Sequence, residues 1–210
     1  MKTTISIANS TATDGDTDDD FDLETSGGTD IVPGASQVLT FGPDDSNQSI
    51  SIEIDNDDLY EGGASGTAET IEFALGSYAY AAAGTNTALT YSITDNEEKP
   101  TIEFDTDASN SVTSGDESVA SPSITVKINR RSIYASTIQY SAAAKDGDRM
   151  VTSGDYTLEA GTATIDALST STTIPLEITN DSRYEAAETI RITLATAGAN
   201  NAIGTALNHD

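Results

Sequence analysis

The sequence predicts an all-β chain made of two tandem antiparallel β-sandwiches, and three observations carry that expectation. Apolar residues alternate in short runs, Ile50, Ile52 and Ile54 in one and Ile174, Leu176 and Ile178 in another, which is the period of a strand with one buried face. Turn-forming Gly, Pro, Asn and Asp punctuate these runs about every 8–12 residues, and no stretch has the period of an amphipathic helix. One pattern also occurs twice: an alternating strand, a polar knot, Tyr-Glu, and a second alternating strand. The knots are Asn56-Asp57-Asp58-Leu59-Tyr60-Glu61 and Asn180-Asp181-Ser182-Arg183-Tyr184-Glu185. Tyr60 and Tyr184 stand 124 positions apart, a spacing too long for a solenoid repeat and suited to two small domains.

Taken in order, the chain opens in a strand pattern at Ile5 and Ile7. The acidic loop Asp14–Asp22 and the turn-rich Ser26–Ser36 follow. Strands are expected at Val38–Phe41, Ser49–Asp55, Glu69–Leu75 and Ala88–Ile93, with Gly62–Thr67 as a loop insertion. The acidic, proline-terminated link Asp95–Pro100 marks a boundary, dividing the chain into domains 1–98 and 99–210. The second domain places strands at Thr101–Phe104, Ser123–Ile128, Thr137–Tyr140, Thr162–Ile165 and Thr189–Leu194, with a last one starting near Ala202. Alignment of the copies puts Ile5 and Ile7 on Ile138 and Tyr140, so the first sandwich is expected to lack its opening strands. Alignment of Thr87-Ala88-Leu89 with Thr205-Ala206-Leu207 leaves the second without its final strand. An unpaired sandwich edge invites strand addition, so neighbouring sequence or a neighbouring subunit is expected to complete each.

Composition narrows the function. The net charge is −26, from 9 basic and 35 acidic residues, and it is uneven. Residues 1–98 hold 20 acidic groups against Lys2 alone, a balance of −19. Such a surface repels phosphate backbones and anionic lipid, which argues against nucleic acid or direct membrane insertion as partners. It also opposes compaction unless cations neutralise it, through bound divalent metal or a salty habitat. There is no cysteine, and His209 is the only histidine. Zinc sites and histidine-based triads are therefore not expected, and the chain reads as non-enzymatic.

Acidic clusters recur at Asp18-Asp19-Asp20, at the two knots and at Asp95-Asn96-Glu97. On loops at one end of a sandwich their carboxylates would converge, and several hard oxygen donors suit Ca²⁺. The local helix-loop-helix calcium motif fails, because Asp19 stands where its glycine belongs and Thr25 where its closing glutamate belongs. Tyr60 and Tyr184 are expected to close the core beside each knot.

The run Asn180-Asp181-Ser182-Arg183-Tyr184-Glu185-Ala186-Ala187-Glu188 and the strand after it resemble the hallmark of Calx-β domains, Asp-Asp-Asp-x-Tyr-Glu-x-x-Glu. Asp146-Gly147, Gly154-Asp155-Tyr156 and Ile93-Thr94-Asp95-Asn96-Glu97 are similar to further elements of that family, in the same order. The resemblance implies seven-stranded immunoglobulin-like sandwiches holding Ca²⁺ in loops near a domain junction. Carried over by position, it implies Asp20, Asp57, Glu61, Asp95 and Glu97 as ligands in the first domain. In the second it implies Asp155, Asp181, Glu185 and Glu188. Glu69 is left out, because Gly62–Thr67 displaces it from the family spacing.

The expected role is a calcium-rigidified structural or adhesive repeat of an extracellular or cell-surface protein. Its partners would be neighbouring repeats and an extracellular or cell-surface ligand. The alternative is a subunit of a filament or appendage whose neighbours share edge strands.

Overall fold

A computed structural model describes residues 1–13, 20–25, 28, 30–62, 66–107, 114–118, 120–145, 152, 154–184, 186–205 and 207–209. Asp14–Asp19, Asp146-Gly147 and Glu185 lie outside the described residues. The described chain is all-β and forms two compact units. One is Met1–Asp57 with Gly66–Asn96; the other is Asp58–Ser65 with Glu97–Asp210.

In the first unit the strands are β1 (Lys2–Ser10), β2 (Phe21–Thr25), β3 (Ser36–Thr40), β4 (Ile50–Ile54), β5 (Glu69–Ala79) and β6 (Ala88–Ile93). They form a four-stranded sheet in the order β3-β1-β5-β6 and a two-stranded sheet β2-β4, all antiparallel. The core lies between the sheets. Ile5 and Ile7 of β1 and Ile71 and Phe73 of β5 meet Phe21 and Leu23 of β2, with Ile31 from the following loop. Burying each such side chain contributes about 1.5–3 kcal/mol, which is what fixes the register. The sequence reading assigned no strand to Phe21–Thr25. Its Phe21 and Leu23 alternate with Asp22 and Glu24 inside an acidic region, and the acidic residues masked the period.

The second unit adds β7 (Thr101–Phe104), β8 (Ile124–Ile128), β9 (Ser136–Ala144), β10 (Tyr156–Thr157) and β11 (Gly161–Ile165). It continues with β12 (Ser171–Ile174), β13 (Glu177–Ile178), β14 (Ile190–Ala197), β15 (Ala202–Ile203) and β16 (Asn208–His209). One sheet runs β11-β9-β14-β16, the other β12-β8-β7-β15, and β10 pairs with β13. Ile102, Phe104, Ile124, Val126, Ile138, Ile165, Ile174 and Ile192 fill the core between them. The two four-stranded sheets that contain β1 and β9 match strand for strand, β3-β1-β5-β6 against β11-β9-β14-β16. The single strand β4 corresponds to Ile174–Ile178, the end of β12 together with β13, which Pro175 separates by withholding a backbone donor. β16 occupies the place of β6, with two residues where β6 has six.

The knot of the first repeat is counted with the second unit. Tyr60 donates its backbone N–H to the Arg131 carbonyl at 3.0 Å and accepts from the Ile133 N–H at 3.2 Å, and both Leu59 and Tyr60 are buried. Tyr184 is fully exposed, which corrects the expectation that both tyrosines close a core. The preceding residues differ as well: Leu59 is apolar and buried, whereas the corresponding Arg183 is charged and exposed.

Candidate metal centre

The site of the first unit is built where β2 begins. Asp20 immediately precedes buried Phe21 and is itself buried. Thr13 holds it in a clasp. The Thr13 backbone N–H and hydroxyl donate to Asp20 Oδ2 at 2.6 and 3.1 Å, and the Asp20 N–H donates back to the Thr13 carbonyl at 3.0 Å. β4 braces the same point through the Asp55 N–H, which donates to the Asp20 carbonyl at 3.1 Å.

Against this clasp lies Glu69, the first residue of β5. Carboxylate oxygens of Asp20 and Glu69 lie within 4.8 Å of one another. Glu69 Oε2 is buried and has no hydrogen-bond partner among the described residues. The Glu69 carboxyl is pushed up from 4.5 to about 7, chiefly by burial and then by a hydrogen bond to Asp20 and the negative charges of Asp20 and Asp95. Glu69 faces Ile93 across the β5-β6 ladder, and Asp95 follows two residues later, so strand pairing is what delivers the Asp95 charge.

This arrangement fits a divalent cation. Two carboxylates share a pocket with a third near enough to be felt, and one buried oxygen lacks a donor. Removing the proton from Glu69 is costly only while no positive charge replaces it. Calcium accepts such oxygens at irregular geometry and completes its shell with water and carbonyls.

The second unit repeats the clasp without the crowding. Thr152 donates its N–H and hydroxyl to Asp155 Oδ2, and the Asp155 N–H returns to the Thr152 carbonyl at 3.2 Å. The Thr179 N–H donates to the Asp155 carbonyl at 2.8 Å, as Asp55 does for Asp20. Here the hydrogen bonds from Thr152 hold the Asp155 carboxyl below the usual range, and the positive charge of Arg183 adds to that. Asp181 is exposed, and its Oδ1 accepts the Arg183 backbone N–H at 2.6 Å. The protein's own guanidinium thus supplies positive charge near Asp155.

Of the positions implied by resemblance, the structure places Asp20 in the clasp and Asp95 within electrostatic reach of Glu69. Asp57 is exposed at the end of the first unit's leading segment. Glu61 and Glu97 are half-buried on segments counted with the second unit, and Glu188 is half-buried just before β14. Glu185 lies outside the described residues. Glu69 was missed. The match of Glu69-Thr70-Ile71 with Glu188-Thr189-Ile190 is the signal that would have found it, because strand alignment absorbs the Gly62–Thr67 insertion that residue counting does not.

Comparison with known proteins agrees with this architecture. A model of the Calx-beta domain matches twice, at residues 8–89 and 95–209. Among solved structures, calcium binding domain CBD12 of CALX1.1 is 18% identical over 93% of this chain and 67% of that one, with a TM-score of 0.38. CBD12 of CALX1.2 is 17% identical over 93% of this chain and 68% of that one, with a TM-score of 0.36. No curated protein matches. With two matches in tandem spanning nearly its whole length, the chain belongs to the Calx-beta domain family.

Proposed function

We propose that the chain is a non-enzymatic calcium-binding structural module, an adhesive or spacer repeat of an extracellular or cell-surface protein. The observation that carries the calcium reading is the partnerless buried oxygen of Glu69 beside Asp20. Asp20, Glu69 and Asp95 would hold the ion, which supplies the positive charge their pocket lacks. Binding would release the proton from Glu69 and tie β2, β5 and the segment after β6 to one point. Asp95 opens the link Asp95–Pro100, so restraining it stiffens the connection to the second repeat.

The net charge of −26, which bound cations would offset, supports this reading. The test is thermal unfolding of the 210-residue chain in millimolar Ca²⁺ and in chelator. Calcium raises the melting temperature, and Glu69→Gln lowers the gain. Equal melting in calcium and chelator, with stability that follows molar salt alone, would replace specific binding by general charge screening.

A further inference from the structure

Two buried side chains of the second unit end in polar atoms that meet no partner among the described residues. Ser136, the first residue of β9, is 0% exposed, and its Oγ has no hydrogen bond. Asn201, in the turn between β14 and β15, is 5% exposed, and its Nδ2 has none either. Leaving such a group bare costs about 1–3 kcal/mol, so each calls for a partner.

The local structure brings the two together. β14 has an extra residue between Leu194 and Ala197, and its ladder with β9 resumes at Ala197↔Ile138. There β14 ends, and the turn closes on β9 by other bonds. The Gly198 N–H donates to the Thr137 carbonyl at 2.8 Å, and the position suits glycine because a Cβ would collide with the Thr137 hydroxyl. The Thr137 N–H donates to Asn201 Oδ1 at 3.0 Å. That bond fixes which end of the amide is oxygen and leaves Nδ2, a donor only, as the free end. Thr137 N belongs to the peptide that follows Ser136, so the bare hydroxyl and the bare amide flank one peptide group.

The first unit fills the same place with protein. Ile5 and Ile138 correspond, so Thr3 is the counterpart of Ser136, and it too is buried at a bulge in its ladder. Thr3 Oγ1 donates to the Gly76 carbonyl at 3.0 Å. Ala195 stands at the position of Gly76, and its carbonyl receives no bond from Ser136.

We infer that Ser136 Oγ and Asn201 Nδ2 share one buried water. Because Nδ2 presents protons, a cation is excluded. A water accepts from Nδ2 and bonds the hydroxyl, which donates or accepts as required. This water ties the start of β9 to the residue before Ala202, whose N–H donates to the Pro100 carbonyl at 2.9 Å. The Gly204 N–H continues the series to the Ile102 carbonyl at 2.8 Å. The bridge thereby positions β15 for its pairing with β7.

The test is a crystal structure of the 210-residue chain at a resolution that shows ordered water, with amide exchange in solution as a second reading. One fully occupied water within hydrogen-bonding distance of both atoms is expected. A direct bond between Ser136 Oγ and Asn201 Nδ2, or a dry site with both atoms bonded to protein carbonyls, overturns the inference. In solution, Ser136→Ala removes one anchor of the water. Exchange at Ala202 and Gly204 is expected to speed up about threefold or more, with the β8 amides that pair with β12 unchanged. Equal exchange in the two proteins overturns the bridge. Uniform acceleration across the second unit overturns it too, since the hydroxyl then serves general stability.

Discussion

Asp20 and Asp155 sit in the same clasp, yet their surroundings ask for opposite things. Each receives an N–H and a hydroxyl from a threonine, and each returns its own N–H to that threonine. Beside Asp20 the next groups are more carboxylates, and burial with that crowding raises the Glu69 carboxyl to about 7. Beside Asp155 the next charge is Arg183. One backbone device therefore serves a pocket that lacks positive charge and a pocket that already has some. What separates them is a few side chains on neighbouring loops, not the fold.

The comparison breaks most sharply at the core. Leu194→Ala, at a fully covered position, is expected to cost about 2–4 kcal/mol. Leu75→Ala, at the matching open position, costs under about 1 kcal/mol. Urea unfolding of both variants measures the gap, and near-equal losses would mean that the two positions are covered alike.

The next largest effect falls on calcium. Asp20→Asn removes a charge from the crowded pocket and lowers calcium affinity about a hundredfold, whereas Asp155→Asn changes the tightest binding step little. Titration calorimetry of the two variants decides whether the first pocket is the stronger one.

Proton linkage comes third. Glu69 has its ordinary value of 4.5 in the unfolded chain and about 7 in the folded one, so between those values the folded state holds a proton that the unfolded state has lost. Without calcium, the contribution of Glu69 to stability is full below pH 4.5, is lost as pH rises to about 7, and is level above that. Melting curves in chelator across that window show the decline, and Glu69→Gln flattens it. With calcium present the slope reverses for binding: affinity weakens as pH falls below about 7, because the ion must displace the proton.

Smallest is the effect of Arg183→Leu. Both partners are substantially solvated, so urea unfolding shows no resolvable change in stability. The Asp155 carboxyl moves up toward its usual range, as read by carbon-detected NMR titration.

Much of the architecture was visible in the residues. Alternation alone located β4, β5, β6 and β7 within a few residues of their observed ends, since each shows one apolar face to a core. β2 was hidden because Asp22 and Glu24 occupy its outer face and made the whole region read as a loop. The division of β12 from β13 follows from Pro175, a signal present in the sequence but not used. For the site, Asp20 and Asp95 were reached through family resemblance, while Glu69 fell out of a residue count across an insertion. The threonine clasps could not be read at all. Thr13 lies seven residues before Asp20 and Thr152 three before Asp155, so the shared geometry leaves no shared spacing.

In the second unit, β15 runs parallel to β7, with Ala202 beside Thr101 and Ile203 beside Ile102. The Ala202 and Gly204 N–H groups donate to the Pro100 and Ile102 carbonyls at 2.9 and 2.8 Å. Thr205 adds its N–H and hydroxyl to Glu103 Oε2 at 2.9 and 3.2 Å, and Lys99 Nζ donates to the Ala199 carbonyl at 2.9 Å. Tension entering at Thr101 and leaving beyond Ile203 runs along both strands in the same sense. These bonds then bear load side by side, in shear, and must break together where an antiparallel pair pulled from one end would open one bond at a time. The second repeat is in that respect a mechanical fastener, whose resistance is set by the rate of one concerted rupture.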